Sequence, residues 1–329
     1  MMKAYCRNGM IKNIPYIVDD GEEFLIQELE DGLSNKFFYP GDSINYTLDG
    51  ECVCLYDKFR DMIFDDQDEY YQEIYNLPIW VQDAGQNSDC SISANIFEQW
   101  IRESKVPNLY KHLYLVDCQF LVGTIQNLLC ALEDSFIRYY KIIASLEGDD
   151  RYRSELTDED GTIMLLSETA TRAASMIETY FTKAYSILDI LCKVCYEIQF
   201  IQKDFSSYKK IKSADILWGE RKKLTINNTK NTIFEKCELI STIEAIRNEI
   251  VHNGTWELNP KIFIRFENGQ VQERFMLFPD FTQGHLATVK SRKHFFSSGI
   301  KVNDVLYQIH SEFKRRILNT VALINSRSI

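Results

Sequence analysis

Proline and glycine are scarce, 6 and 14 in 329 residues, and no tract of either, or of serine, interrupts the chain. That excludes a disordered, collagen-like or linker-dominated protein. The start, Met1-Met2-Lys3-Ala4-Tyr5-Cys6-Arg7, lacks the apolar stretch of a secretory leader, and no continuous run of roughly 18 apolar residues follows it. Neither secretion nor membrane spanning is therefore expected. The nine cysteines are an odd number without the dense spacing of a disulfide scaffold, which predicts a reducing cytoplasm. Cys192-Lys193-Val194-Cys195 has no second pair at zinc spacing and lies in an apolar helical run, so both thiols are read as packing groups. No metal site and no cofactor is expected. Glycine-rich phosphate loops, HExxH and GxSxG are also missing, which removes the usual nucleotide, zinc-protease and hydrolase readings.

What is present is enough apolar material, 45% of residues in 38.5 kDa, for one large core or two modest ones. The net charge of -11 hides a split. Residues 1–200 carry 16 Lys and Arg against 35 Asp and Glu, net -19, whereas residues 201–329 carry 21 against 13, net +8. A basic carboxyl third suits phosphate recognition, and it equally suits pairing with the acidic remainder.

Residues 1–105 read as an acidic α+β region of unknown role. Tyr16-Ile17-Val18 and Phe37-Phe38-Tyr39 are short apolar runs, the second followed by turn residues from Pro40 to Ser43, and Glu51 to Tyr56 alternates weakly as a strand does. The acidic run Asp65 to Glu69 lacks the spacing of a calcium loop and reads as a solvated turn.

From about Pro107 the periodicity is helical. One long helix carries Leu109, Leu113, Val116, Phe120, Leu128, Leu132 and Phe136 and ends near Glu147 to Asp150; a second is expected to begin by Met164 and Leu165 and run to Ile198. A polar segment from Lys203 to Lys230 holds a short helix around Ser213 to Lys222. Thr232-Ile233-Phe234-Glu235 has capping-box form and predicts the next helix start, with Asn253-Gly254 as its stop. Asn268-Gly269 between β-rich runs predicts a hairpin near 261–278, and a last helix follows from Val302 to Ile324. The expected class is mainly α: a helical bundle over 106–329 with an inserted hairpin, behind the smaller α+β region.

One constellation carries chemistry: Arg247-Asn248-Glu249-Ile250-Val251-His252 at the end of a bundle helix. Asn248 and His252 share a helical face, while Arg247 lies about 140° round from His252, so only its long side chain can swing alongside. A guanidinium that neutralises a phosphate and an imidazole that moves a proton suffice, with a second copy of the pair, for metal-free cleavage of RNA by its own 2′-hydroxyl. Helix capping and dipole compensation would select similar residues. Lys290, Arg292, Lys293 and His294, beside Phe295-Phe296, form the best basic-aromatic cluster for gripping phosphate and stacking a base, and a solvated loop is the plainer reading. Arg221-Lys222-Lys223 is a weaker version. His285, His294 and His310 have no clear partner spacing and read as surface or locally satisfied residues.

The motif resembles that of the HEPN superfamily: Arg, a polar residue, then His after four to six intervening positions, in an all-helical bundle. Arg247, Asn248 and His252 match it, with four residues between Arg and His. The resemblance implies a metal-independent endoribonuclease of phage-defence or toxin systems, working as a homodimer with two motifs at one cleft. Its alternative is a member that has lost catalysis and serves as an RNA-binding, nucleotide-binding or dimerising scaffold. It leaves residues 1–105 unexplained; that acidic region is a candidate contact for a protein partner. Some related toxins carry a Tyr two positions after the His that a partner enzyme modifies; Gly254 stands there, so that control is not expected.

Overall fold

Apolar periodicity becomes helix over most of the chain in the computed structural model, which describes residues 2–14, 43–148, 150–156 and 159–326. In chain order the elements are strands β1 (Met2–Tyr5) and β2 (Ile11–Ile14), helices α1 (Ser43–Ile63), α2 (Gln67–Ile74), α3 (Ala94–Glu103) and α4 (Leu109–Ala144), and strand β3 (Gly161–Leu165). Then follow α5 (Glu168–Gln199), α6 (Glu238–Asn253), β4 (Ile262–Glu267), β5 (Gln270–Phe275), the short strands β6 (Phe281–Thr282) and β7 (His285–Leu286), and α7 (Val302–Asn325). The protein is mainly helical with a small antiparallel sheet.

The contacts gather the chain into two units whose segments interleave. The first combines residues 1–48, 128–187 and 229–320; the second combines 49–127, 188–228 and 321–329. Residues 49–105 therefore group with 106–127 instead of standing by themselves.

The first unit holds the predicted hairpin. Asn268 and Gly269 both take positive φ, 49° and 69°, as a type I′ turn requires, and join β4 to β5. β3 adds to the open edge of β4, with Ile163 opposite Ile264, to give the order β3-β4-β5. The expectation that Met164 and Leu165 start the second helix is thereby corrected. Gly161-Thr162-Ile163 opens a stretch that pairs with β4, and the helix begins only at Glu168. Ile262, Ile264 and Phe266 alternate to give β4 one buried face, and Ile177, Phe181, Ile243, Ile246, Phe313 and Ile317 are also buried in this unit.

A second correction concerns α6. Thr232 and Glu235 do satisfy neighbouring backbone, Thr232 Oγ1 accepting from the Phe234 N–H at 3.2 Å and Glu235 Oε2 from the Asn231 N–H at 2.9 Å. They cap a turn, however, and the helix starts at Glu238. Arg316 holds that turn: its Nη1 reaches the Thr232 carbonyl at 3.0 Å and Glu235 Oε2 at 2.7 Å, interactions from α7 that local sequence does not announce.

In the second unit the weakly alternating stretch Glu51 to Tyr56 is helical, within α1, because Cys52, Leu55 and Phe59 recur at helical spacing and are fully buried. The α+β reading of 1–105 thus reduces, among the described residues, to the β1–β2 pair followed by helices; the runs at 16–18 and 37–42 lie outside the described residues. Asp66 caps α2 by accepting from the Asp68 N–H, so the acidic run is a helix start. The polar segment forms two 3-10 turns, Lys212–Asp215 and Trp218–Lys223. It is fastened by Glu197, which accepts from the Tyr114 hydroxyl and from the Ser213 N–H, both at 2.6 Å, and by Asp189, which accepts from the Trp218 N–H at 2.7 Å. Cys192 and Cys195 are buried, and burial raises both thiols, Cys195 to about 12. α4 contains an 18-residue window of mean hydropathy 1.5, sufficient by length and composition to cross a bilayer; 33% of that window is buried, and the core helix of a folded domain passes the same test.

Candidate functional site

The motif lies where the sequence reading put it, in the last two turns of α6. Ile240, Ile243, Ile246 and Glu249 form the buried stripe, which fixes the helix by its apolar side. The stop is Gly254, at φ +90°, whose N–H bonds to the Ile250 carbonyl at 3.0 Å. Arg247, half-buried, donates from Nη1 to Asn248 Oδ1 at 3.0 Å, and its guanidinium carbon stands 4.2 Å from the ring centroid of Tyr185 on α5. Such a cation–π contact contributes about 0.5–1 kcal/mol where solvent reaches it. Asn248 is exposed. His252 is exposed one turn further on, with no hydrogen bond or ion pair to any described residue. Arg247 and Asn248 are therefore brought together, whereas His252 shares their helix end without bonding to either.

Between these residues stands Glu249, passed over in the sequence as an intervening position. Its side chain is only 7% exposed. Lys293 Nζ donates to its Oε2 at 2.9 Å, and His294 Nε2 lies 3.3 Å from its Oε1 without hydrogen-bond alignment. Glu249 and Asn253 on the helix and residues 291–295 on the facing loop line one cleft of about 390 Å³, so the loop meets the helix end through Glu249 and Asn253, and Arg247, Asn248 and His252 are not among the lining residues.

The loop has its own architecture. Val289 and Arg292 exchange both backbone hydrogen bonds, at 2.9 and 3.0 Å, with Lys290 at φ +55° between them, a tight turn that carries Lys290 and Arg292 into solvent. Asp280 ties the base of the loop. Its N–H donates to the Phe295 carbonyl at 2.7 Å, and its carboxylate accepts from the N–H and hydroxyl of both Ser297 and Ser298. Those donors, Ser297 first, hold the Asp280 carboxyl well below the usual carboxylate range.

The four basic residues consequently divide. Lys293 and His294 are engaged with Glu249, while Lys290 and Arg292 are exposed and form no ion pair with the described residues. The Arg221 cluster is occupied: Arg221 stacks on Trp218 with 4.3 Å to the ring centroid, and Lys223 pairs with Glu220 at 2.8 Å. His310 is buried and locally satisfied, stacked on Phe136 at 3.9 Å and 3.1 Å from Glu133. His285 is exposed. Among the described residues, no three His, Cys, Asp or Glu side chains gather as metal ligands would.

Glu249 and Asn253 enter the sequence reading only as an intervening position and as part of a helix stop, and Asp280 and Tyr185 are not singled out there as site residues. Only Glu249 left a local signal, a carboxylate three residues after Ile246 on an otherwise apolar stripe, where an acid survives only if partnered. The other three acquire meaning from loops and helices distant in sequence. Compared with models of known protein families, with curated proteins and with solved structures, the chain matches none.

Proposed function

We propose that the protein is a metal-independent endoribonuclease of HEPN type, acting in phage defence or as a toxin in the cytoplasm, with Arg247, Asn248 and His252 as its reacting set. One observation carries the reading: His252 is exposed at an open helix end, one turn from the Arg247–Asn248 pair and next in sequence to Asn253, which lines the basic cleft. In the reaction the ribose 2′-oxygen forms a bond to the neighbouring phosphorus and the bond to the 5′-oxygen breaks. His252 of one copy takes the 2′-hydroxyl proton, and a protonated His252 of a second copy gives a proton to the departing 5′-oxygen. Arg247 offsets the charge growing on the phosphoryl oxygens, and Asn248 both orients its guanidinium and donates to the phosphate. Because one chain supplies one such imidazole, the active species is a homodimer.

A specific observation favours a second reading. Arg247 is stacked on Tyr185, and Lys293 and His294 are committed to Glu249, a pre-set arrangement that suits an RNA-binding, nucleotide-binding or dimerising scaffold without catalysis. Labelled single-stranded RNA of mixed sequence, incubated in EDTA, separates the two. Wild type is expected to leave 2′,3′-cyclic phosphate ends, and His252→Ala and Arg247→Ala to lower the rate at least about a hundredfold. Intact RNA with all three proteins, alongside retained RNA binding, favours the scaffold.

A further inference from the structure

We propose that the cleft between the end of α6 and the 287–298 loop is a guanine-nucleotide subsite, in which Glu249 accepts from the paired N–H groups of the base and Arg292 and Lys290 take the phosphate. The inference rests on the ribonuclease reading for its place in function, and on the cleft's own chemistry for its ligand.

A site made only for phosphate has no use for a carboxylate on its wall. Glu249 is 93% buried by its 7% side-chain exposure, yet it lines the cleft. Oε2 accepts from Lys293 Nζ at 2.9 Å and Oε1 lies 3.3 Å from His294 Nε2, which leaves a lone pair on each oxygen for a further donor. Two parallel acceptors call for two adjacent donors. Guanine presents such a pair, its ring N1–H beside its exocyclic amine. Adenine and cytosine set one amine beside a ring acceptor, and uracil sets one N–H between two carbonyls, so each would place an acceptor against the carboxylate.

The remaining lining fits the rest of a nucleotide. Phe295 offers an aromatic wall for a base, Asn253 offers an amide at the helix end, and Arg292, also lining the cleft, is exposed with no ion pair among the described residues, as is Lys290 beside it. The polarity is therefore graded, acceptors at depth and free cations at the mouth. A nucleotide has the opposite grading, donors on the base edge and negative charge on the phosphate.

Isothermal titration of the full chain with GMP, AMP, CMP, UMP, guanosine and inorganic phosphate tests this. GMP is expected to bind at least about tenfold tighter than the other three nucleotides, and Glu249→Gln to remove that preference. Arg292→Ala is expected to weaken GMP while leaving guanosine unchanged, a readout that stands even if Glu249→Gln fails to fold. Equal affinity for all four nucleotides, phosphate binding as tightly as GMP, or no binding at all overturns the proposal. Guanine preference without RNA cleavage removes the nuclease reading alone, and RNA cleavage without guanine preference removes this subsite alone.

Discussion

Lys314 is almost wholly buried in the first unit, its side chain 2% exposed, and it reaches Glu133 Oε2 at 3.0 Å; His310 reaches the same oxygen at 3.1 Å and the Tyr180 hydroxyl at 3.4 Å. Burial alone would push the Glu133 carboxyl up, but His310 and then Lys314 hold it at about 2, against an ordinary 4.5. A carboxyl lowered on folding contributes stability above its unfolded value and loses it as pH falls through the folded one. Stability from this group is therefore full above about pH 4.5 and drains between there and pH 2. Glu133→Gln should cost about 3 kcal/mol at pH 7, because it removes the carboxylate facing a buried ammonium, and should flatten the acid limb in urea titrations between pH 5 and 2. An unchanged acid limb would remove Glu133 as its source. At this scale the sequence was legible where a residue's neighbours are local: His252 in a last helical turn, Gly254 after it. His310, Glu133 and Lys314 were opaque, since their pairing joins α4 to α7 across 177 and 181 positions.

Helix and strand ends test the same distinction. Gly254 and Gly284 both have positive φ, +90° and +78°, but a Cβ on Gly254 meets open space, whereas one on Gly284 would lie 2.6 Å from Ser241 Cβ and 2.9 Å from the Glu238 carbonyl oxygen. Gly254→Ala is thus expected to cost about 1 kcal/mol, the backbone penalty alone, and Gly284→Ala about 3 kcal/mol, since the β6–β7 turn must also lift from the first turn of α6. Thermal unfolding of the two variants checks the order, and equal losses would deny that the turn is seated on α6. Hairpin and helix stop were readable because Asn-Gly and terminal Gly act through their own backbone. β3 was misassigned because an apolar run of Ile163, Met164 and Leu165 has no period long enough to separate strand from helix, and only pairing with β4 decides it.

For the molecule as a whole, the charge split bears on association. Residues 1–200 carry net -19 and residues 201–329 net +8, opposite charges that can attract between copies, and the proposed mechanism needs two His252 rings at one RNA strand. Sedimentation equilibrium at micromolar concentration should therefore find a dimer, and RNA affinity should fall steeply as salt rises. A strict monomer that still cleaves RNA would exclude the two-copy acid–base scheme. The acidic region of residues 1–105 is also the one we propose as the contact for a protein partner.

By itself, the sequence determined the helical class, the span of α4, the end of α6 at Gly254, the 268–269 turn and the placing of Arg247, Asn248 and His252 on one helix end. Each depends on periodicity or on a residue's own φ and ψ, quantities complete within a few neighbours. Tertiary structure alone decided that Arg247 rests on Tyr185, that Glu249 is sunk beneath Lys293 and His294, and that the basic loop closes a cleft against α6. Those outcomes depend on burial, which sets the cost of an unpartnered charge, and burial is a property of segments that meet only once the chain has folded.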